Sequence, residues 1–212
     1  MKQLTQRRIS RWTWMALVGV IIPVLWGSPE TVRADPFIID QANDAFTPGL
    51  FQNIERFQPI GQEFTPNLKS LHGVELVTED FGRKNGIGAN LMVNIRKDTI
   101  YGTLVGSSLD VTLPDNFGGI THFDFSSDVS LIPGSLYVIE LLVTSGDGWG
   151  VGSSGGPFST YPVGNQILWG ASHPNNDLWF REGPIPEPAT VLLLGPGLIG
   201  LLGYGRKKFS KK

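Results

Sequence analysis

The 212-residue sequence contains no cysteine, which excludes disulfides, thiolate nucleophiles and cysteine metal sites. It has only three histidines, His72, His122 and His173, and their spacing matches no paired metal-ligand motif. Charged residues are also few, at 17% of the chain. Between residues 35 and 185, no stretch keeps a helical period of apolar residues, which argues against an α-helical domain.

The few charges are unevenly distributed along the chain. Of its 17 basic and 19 acidic residues, residues 1–34 hold five basic and one acidic, and residues 186–212 hold the same numbers. Residues 35–185 therefore keep seven basic and seventeen acidic residues, a net charge of −10. A segment this acidic repels phosphate backbones, so nucleic acid is not an expected partner. Divalent cations and neutral glycans fit it better.

Near the C-terminus, three different segments follow one another. Pro186-Glu187-Pro188 comes first, and its prolines predict an extended backbone. An uncharged apolar run covers residues 189–205, and a basic end follows. Seventeen residues in a helix cover about 25 Å, close to the lower limit for a hydrocarbon core of roughly 30 Å. We therefore expect a transmembrane helix at 189–205 with its basic end in the cytoplasm. A buried core helix is the alternative, but core helices do not normally end in a basic run.

This order of tag, apolar helix and basic end resembles the PEP-CTERM sorting signal of Gram-negative bacteria, including some cyanobacteria. In that family, the tag is read by a membrane-embedded exosortase, a cysteine transpeptidase-like enzyme, with the expected cut near the tag. The resemblance covers residues 184–212 and implies an association with exopolysaccharide and biofilm systems rather than one activity. The sorting residues that it implies are Pro186, Glu187, Pro188, Arg206, Lys207 and Lys208.

The N-terminal residues have the composition of a secretory signal peptide. Four basic residues precede an apolar run at residues 12–26, and a polar segment ends at Ala34. We expect cleavage between Ala34 and Asp35 on the general secretory route, since the twin-arginine pattern is incomplete after Arg7-Arg8. An uncleaved signal anchor is the alternative. The two ends together predict an exported protein, first held in the membrane and then displayed at the cell surface or released.

The middle of the chain has the pattern of β-strands. Leu91, Val93 and Ile95 alternate with other residues at a period of two, as do Phe123 and Phe125. Residues 135–144 form a longer apolar run with two apolar faces, which predicts a central strand covered on both sides. Turn dipeptides such as Asn85-Gly86 and Pro133-Gly134 separate these runs.

These patterns predict an all-β fold, an antiparallel jelly-roll-like β-sandwich at residues 35–183. The signal peptide at 1–34 and the sorting signal at 184–212 would flank it. Residues 37–41 and 177–180 both have the pattern of strands, so we expect the ends of the domain to meet. Segments 62–66, 70–76 and 133–138 resemble the galactose-binding-type jelly-roll modules of bacterial surface proteins.

One short motif matches a catalytic pattern. Gly152-Ser153-Ser154-Gly155-Gly156 has the G-x-S-x-G string of serine hydrolases. That motif needs a strand, a tight turn and a helix, whereas the six glycines between residues 146 and 156 predict a loop here. The order of a catalytic triad is also incomplete, because no histidine follows Asp177. A serine hydrolase is therefore not expected.

Carboxylates near strand ends and turns leave two other functions open. Oxygen ligands of this kind hold calcium, so Ca²⁺ is a candidate ligand, but no EF-hand spacing occurs and solvated surface acids are favoured. No other cofactor is expected. Two suitably spaced carboxylates would also serve a glycan-active hydrolase. The residues concerned are Asp40, Asp124, Asp128, Asp147 and Asp177.

Aromatic residues in and after the glycine-rich segment suggest a surface that binds sugars. Flat aromatic faces stack on sugar rings, and nearby amides bind hydroxyl groups; the alternative is that these rings fill the core. We expect Trp149, between two glycines, to be the exposed ring. The candidate glycan-binding residues are Trp149, Tyr161, Trp169 and Asn175. The favoured function is a non-catalytic surface protein that binds matrix polysaccharide; a hydrolase and a purely structural envelope or biofilm protein are the alternatives.

Overall fold

A computed structural model describes residues 38–156 and 161–184. The predicted signal peptide at 1–34 with its cut between Ala34 and Asp35, and the predicted tag and helix at 186–205 with the basic end, lie outside these residues. Within the described ranges the chain forms β-strands and connecting turns without an α-helix. Accordingly, none of the described segments is a helix that is long and apolar enough to span a bilayer.

Fourteen strands make up the described fold. In chain order they are β1 (Gln41–Asn43), β2 (Phe51–Asn53), β3 (Ile60–Phe64), β4 (Ser70–Asp80), β5 (Ala89–Lys97), β6 (Leu104–Ser107), β7 (Val111–Leu113), β8 (Gly118–Ser130), β9 (Tyr137–Gly146), β10 (Trp149–Gly155), β11 (Gln166–Leu168), β12 (Ala171–His173), β13 (Asn176–Leu178) and β14 (Phe180–Gly183). All their pairings are antiparallel, so the all-β, antiparallel prediction is confirmed.

The strands form two seven-stranded sheets. The first has the order β1-β14-β4-β10-β13, with β8 beside β4 and β2 beside β10; the second has the order β12-β11-β3-β9-β5-β6, with β7 beside β5. Fully buried side chains from both sheets join one core, among them Leu76 and Phe123 from the first and Leu91 and Leu141 from the second. Burial of each such side chain contributes about 1.5–3 kcal/mol. Two sheets sharing one core are a β-sandwich.

The strand β9 has a covered outer face as well as a buried inner face. On its outer face, Val138 packs with Ile100 and Ile167, so the connection between β5 and β6 lies over the second sheet. Beside them, the Glu140 carboxylate accepts hydrogen bonds from Arg96 Nε at 2.6 Å and Asn94 Nδ2 at 3.0 Å. The prediction of a central strand covered on both sides is confirmed for residues 137–141, whereas residues 144–146 at the end of β9 are exposed.

The ends of the described domain meet, as predicted. Gln41 of β1 stands opposite Glu182 of β14, and Ile38 N donates to Pro184 O at 2.7 Å. The predicted closing strand at 177–180 is wrong in detail, since it divides at Trp179 into β13 and β14. The physical reason is a change of partner: β13 pairs with β10, Trp179 N donates to Gly152 O at 3.0 Å, and β14 then pairs with β4.

The glycine-rich segment is a strand, β10, and not the predicted loop. Its glycines serve close packing on one face: a Cβ at Gly150 would lie 2.6 Å from the Phe81 ring, and one at Gly152 would lie 3.0 Å from Val77 Cβ. Its other face buries Trp149 and Val151 in the core. Glycine in this strand leaves room for aromatic rings to pack directly on the backbone. The sequence pattern alone does not distinguish glycines of this kind from the glycines of a flexible turn.

A matched pair of isoleucines tests the assignment of the sheet faces. Ile95 of β5 is fully buried, whereas Ile120 of β8 is 52% exposed. We expect Ile95→Ala to lower the free energy of unfolding by about 2–5 kcal/mol, because it leaves a cavity in the core. Ile120→Ala is expected to change it by about 0.5 kcal/mol or less. Urea unfolding, monitored by tryptophan fluorescence, measures the free energy of unfolding of both variants. Equal decreases would contradict the assignment of Ile95 to the core face and Ile120 to the solvent face.

Candidate functional site

The most distinctive surface feature is the turn that connects β11 to β12. Leu168 pairs with Ala171, so only Trp169 and Gly170 form the turn, with φ values of 52° and 76°. Positive φ at both central residues defines the hairpin turn in which asparagine and glycine are normally found. Tryptophan is rarely found there, because a bulky side chain in the left-handed region is strained by roughly 1–3 kcal/mol.

Hydrogen bonds from the turn to residues 56–59 hold it in place. Trp169 N donates to Phe57 O at 2.8 Å, and Gly170 N donates to Pro59 O at 2.9 Å. The indole Nε1 donates to Arg56 O at 3.1 Å. These three bonds fix both the backbone and the ring of Trp169, while 56% of the residue remains exposed.

Other aromatic side chains surround the exposed indole. The Phe57 ring meets it edge to face with centroids 4.6 Å apart, and the His173 ring lies at 6.3 Å. The Arg56 guanidinium lies 5.5 Å from the centre of the Phe57 ring. Tyr101, which is 71% exposed, lies with its hydroxyl against Gly170, where a side chain would collide with it. We name Arg56, Phe57, Tyr101, Trp169 and His173 the Trp169 platform.

The platform offers flat apolar faces together with a few polar groups. A fixed indole presents its ring to solvent, and the Tyr101 hydroxyl beside Gly170 and the Arg56 guanidinium beside Phe57 supply hydrogen-bond donors to the platform. Such a surface suits a ligand with an apolar face and hydroxyl groups at its rim, as a sugar ring has. Of the five platform residues, the sequence pattern pointed only to Trp169. Tyr101 and Phe57 carry no local signal, because only the folded second sheet brings them to the turn.

The other three candidate glycan-binding residues lie elsewhere. Asn175 is exposed, but it lies in the turn after β12, whereas Trp169 lies in the turn before that strand. Tyr161 is buried, and its hydroxyl donates to Gln41 Oε1 at 3.2 Å near the two ends of the described domain. The structure therefore does not gather the four residues into one site.

The expectation that Trp149 is an exposed ring is wrong. Its side chain is fully buried, stacks on Phe117 with centroids 6.2 Å apart, and donates from Nε1 to Asp147 Oδ1 at 3.2 Å. The residue begins β10 opposite Asp80 instead of lying in a loop. Alternation along that strand turns the ring into the core.

The serine motif also lies in β10, in a buried polar cluster between the sheets. Ser153 Oγ donates to Gln166 Oε1 at 3.1 Å, and Gln62 Nε2 donates to Asp177 Oδ1 at 3.1 Å. Asn43 Nδ2 donates to Ser154 Oγ at 3.2 Å. The first two bonds join β10 and β13 of the first sheet to β11 and β3 of the second, and the third joins β1 to β10 within the first sheet. The motif is part of a strand and lacks the strand-turn-helix of a nucleophile elbow.

Glu182 is the most perturbed acid of this region. It is fully buried on the inward face of β14, and within the described residues neither of its carboxyl oxygens has a hydrogen bond. Burial, with a smaller effect of the Asp40 charge, raises the pKa of Glu182 to about 9; the nearby Gln41 N–H, which does not meet the geometry of a hydrogen bond to the carboxyl, opposes the shift slightly. Burial likewise raises the pKa of Tyr161 to about 12. The alternation of Phe180 and Glu182 would have placed this acid inside, a signal that the sequence analysis missed.

The remaining carboxylates make local contacts. Asp40 Oδ2 accepts from Asn67 N at 2.8 Å and from Leu68 N at 2.9 Å, and Asp147 Oδ2 accepts from Asn85 Nδ2 at 2.6 Å. His72 and His122 pair with Asp128 and Asp124 at 2.9 and 2.8 Å, respectively. Across residues 38–156 and 161–184, no three acidic or histidine side chains form a group suited to a metal ion.

Comparisons with known proteins return no family. No family model matches the chain, and no curated protein matches it.

The buried Glu182 predicts a pH-dependent stability. Its pKa is about 9 in the folded chain against an ordinary value of 4.5, so the folded state binds the proton more tightly. Its contribution to stability is therefore complete below about pH 4.5 and is lost as the pH rises toward 9. The loss reaches at most about 1.4 kcal/mol per pH unit, or roughly 3–4 kcal/mol between pH 5 and pH 8.

Glu182→Gln removes this titration, so the variant should match the native protein near pH 5 and exceed its stability at pH 8. Urea unfolding at half-unit steps of pH measures the difference between the two proteins. Asp110→Asn, which changes an exposed acid, is the control and should leave the pH profile unchanged. Parallel profiles for Glu182→Gln and the native protein would show that the carboxyl is not held neutral in the fold.

Proposed function

We propose that this chain is a non-catalytic, exported cell-surface protein that binds a neutral extracellular polysaccharide through the Trp169 platform. Its export and sorting would follow the signals at its two ends, with a signal peptide removed before Asp35 and a PEP-CTERM-like tag read by an exosortase-type enzyme. The domain between them would be a jelly-roll-like sandwich displayed outside the cytoplasm, first anchored by residues 189–205 and then placed at the cell surface or released.

The single observation that carries the binding proposal is the fixed, exposed indole of Trp169. The residue sits in a backbone conformation that disfavours it, and three hydrogen bonds hold it there. More than half of its surface faces solvent, where an indole loses the burial that normally stabilises it. Residues held in strained conformations cluster at functional sites, and tryptophan is enriched at interfaces.

The charge of the domain supports a neutral ligand. Residues 35–185 carry seventeen acidic and seven basic residues, which opposes nucleic acids and acidic polymers in general. A neutral glycan has no charge to be repelled, and stacking on the Trp169 platform does not require one. The polysaccharide association that the tail implies agrees with this ligand class.

The buried position of two acids favours binding over hydrolysis. Asp177 and Glu182 are 1% and 0% exposed, so a polymer cannot reach them in this fold. The exposed acids Asp124 and Asp128 are each paired with a histidine, His122 and His72 respectively. Release of reducing sugar that a single Asp or Glu change abolishes would replace the binding proposal with a hydrolase.

Substitution of Trp169 tests the binding proposal. A glycan array with residues 35–185, which include every described strand, identifies a neutral polysaccharide, and isothermal titration gives its Kd. We expect Trp169→Ala to raise the Kd about 30-fold, since loss of a central tryptophan costs about 2 kcal/mol. Ile120→Ala, a comparably exposed apolar residue on the first sheet, should leave the Kd unchanged. The absence of binding to any polysaccharide would refute the proposal.

A second variant separates binding from folding. Trp169→Asn places at the turn a residue that tolerates positive φ, which offsets the loss of the Phe57 contact and the indole hydrogen bond. We expect its free energy of unfolding to stay within about 1 kcal/mol of the native value while binding is lost. If the variant binds as tightly as the native protein, the ring is not part of the site.

Mass spectrometry of the mature protein tests the sorting proposal. We expect an N-terminus at Asp35 and a C-terminus near the Pro186-Glu187-Pro188 tag. Glu187→Ala should leave the tail attached if the tag is what the processing enzyme reads, whereas Asp110→Asn should be processed normally. A mature protein that retains both Met1 and Lys212 would contradict the two signals.

A further inference from the structure

The end of the sandwich at which the chain enters and leaves carries an exposed apolar surface. Ile38 and Ile132 are 50% and 56% exposed, and Leu68 is 39% exposed. Ile38, Leu68, Pro133 and Pro184 line an open groove of about 660 Å³, and Ile132 directly precedes Pro133. We name Ile38, Leu68, Ile132, Pro133 and Pro184 the terminal patch.

Hydrogen bonds hold the segments of the terminal patch together. Residues 67 and 68 donate their backbone N–H groups to Asp40 Oδ2, and Gly134 N donates to Pro66 O at 2.9 Å. Ile38 N donates to Pro184 O at 2.7 Å, and Leu131 N donates to Lys69 O at 2.8 Å. The apolar side chains are therefore presented by a fixed framework. Their exposure belongs to the folded domain.

The length of chain after Pro184 places this end close to the apolar run of the tail. Four residues separate Pro184 from residue 189, where that run begins. Five fully extended residue steps reach at most about 18 Å. The polar region on each side of a bilayer is roughly 5–8 Å deep. A domain tethered so closely cannot move its terminal patch far from the lipid headgroups.

We propose that the terminal patch rests in the interfacial layer of the bilayer that holds the tail. This inference rests on the proposed membrane span at 189–205. Apolar side chains gain free energy when they enter the boundary between headgroups and acyl chains, and the neighbouring Lys69 can extend its ammonium group to the phosphates. Asp128, the acid in the groove, already pairs with His72 at 2.9 Å.

The same arrangement directs the Trp169 platform away from the lipid. The turn at Trp169 bonds to Pro59 just before β3 begins, and β3 ends before residues 67 and 68, which Asp40 binds. The turn that carries Trp169 and the terminal patch therefore lie at opposite ends of β3. A patch seated on the membrane would hold the domain upright, with its aromatic surface toward the extracellular matrix.

Single cysteines report the position of each end, because the native sequence contains none. In the chain with its tail, expressed in a host without an exosortase-type enzyme so that only the signal peptide is removed, Ile132→Cys or Ile38→Cys carries an environment-sensitive NBD label at the terminal patch. Ile87→Cys is the matched control, since Ile87 is 50% exposed and follows the C-terminal end of β4. The N-terminal end of β4, Ser70, pairs with Ser130 and so lies close to Ile132 of the terminal patch. The eleven residues of β4 separate the two ends by roughly 35 Å.

The labelled proteins are reconstituted into phosphatidylcholine vesicles, with and without phosphatidylglycerol, and vesicles with spin-labelled lipid quench the NBD. We expect at least twofold quenching and a blue shift at positions 132 and 38, and neither at position 87. Vesicle flotation, together with a variant ending at Pro188, shows separately whether the tail anchors the chain. Circular dichroism confirms that each variant keeps its β-sheet spectrum.

The outcomes distinguish the two proposals. If the chain floats and the labels at positions 132 and 38 remain as solvent-exposed as the label at 87, the terminal patch does not contact lipid. The proposed membrane span at 189–205 is then retained and only the inference about the patch is wrong. Equal quenching at all three positions likewise overturns the upright orientation. If the full chain fails to float, the membrane span is wrong and the inference about the patch falls with it.

Discussion

The fold depends on the pairing of its first and last described strands. Gln41 opposite Glu182 brings both ends of the domain to one side, and the bond from Ile38 N to Pro184 O continues the ladder outward. This pairing leaves the opposite end free of chain exits. It also buries Glu182 in the core beside Tyr161, so closure of the domain and the neutral state of this carboxyl are coupled.

Polar side chains, rather than apolar ones, connect the two sheets beside β10 and β13. Gln62 bonds to Asp177, and Ser153 bonds to Gln166, in each case across the two sheets. Buried hydrogen bonds contribute little net free energy, but an unsatisfied partner costs about 1–3 kcal/mol. The cluster therefore selects one register of the two sheets more strongly than it stabilises the fold. Glu182 lacks such partners among the described residues. The free-energy cost of burying its charged carboxylate therefore appears as a raised pKa.

Where one physical rule dominated, the sequence was sufficient to predict the local structure. The alternation in β5 and β8 and the two apolar faces of β9 indicated the strands, the core and the antiparallel class. Prediction from the sequence pattern failed at β10. Glycine permits both flexible turns and close packing under the Phe81 ring, and only the tertiary contact decides between them. The burial of Trp149 was missed for the same reason.

The candidate site was only partly predictable, because it depends on contacts between distant segments. Trp169 could be singled out by its type, but its exposure depends on residues 56–59, and Tyr101 reaches it from the connection between β5 and β6. Local preference would place asparagine or glycine at the first position of this turn. The three hydrogen bonds from the turn, one of them from the indole, overcome that preference without burying the ring. A position where local preference and tertiary structure disagree, and where the disagreement leaves an aromatic face in water, is where a binding role is expected.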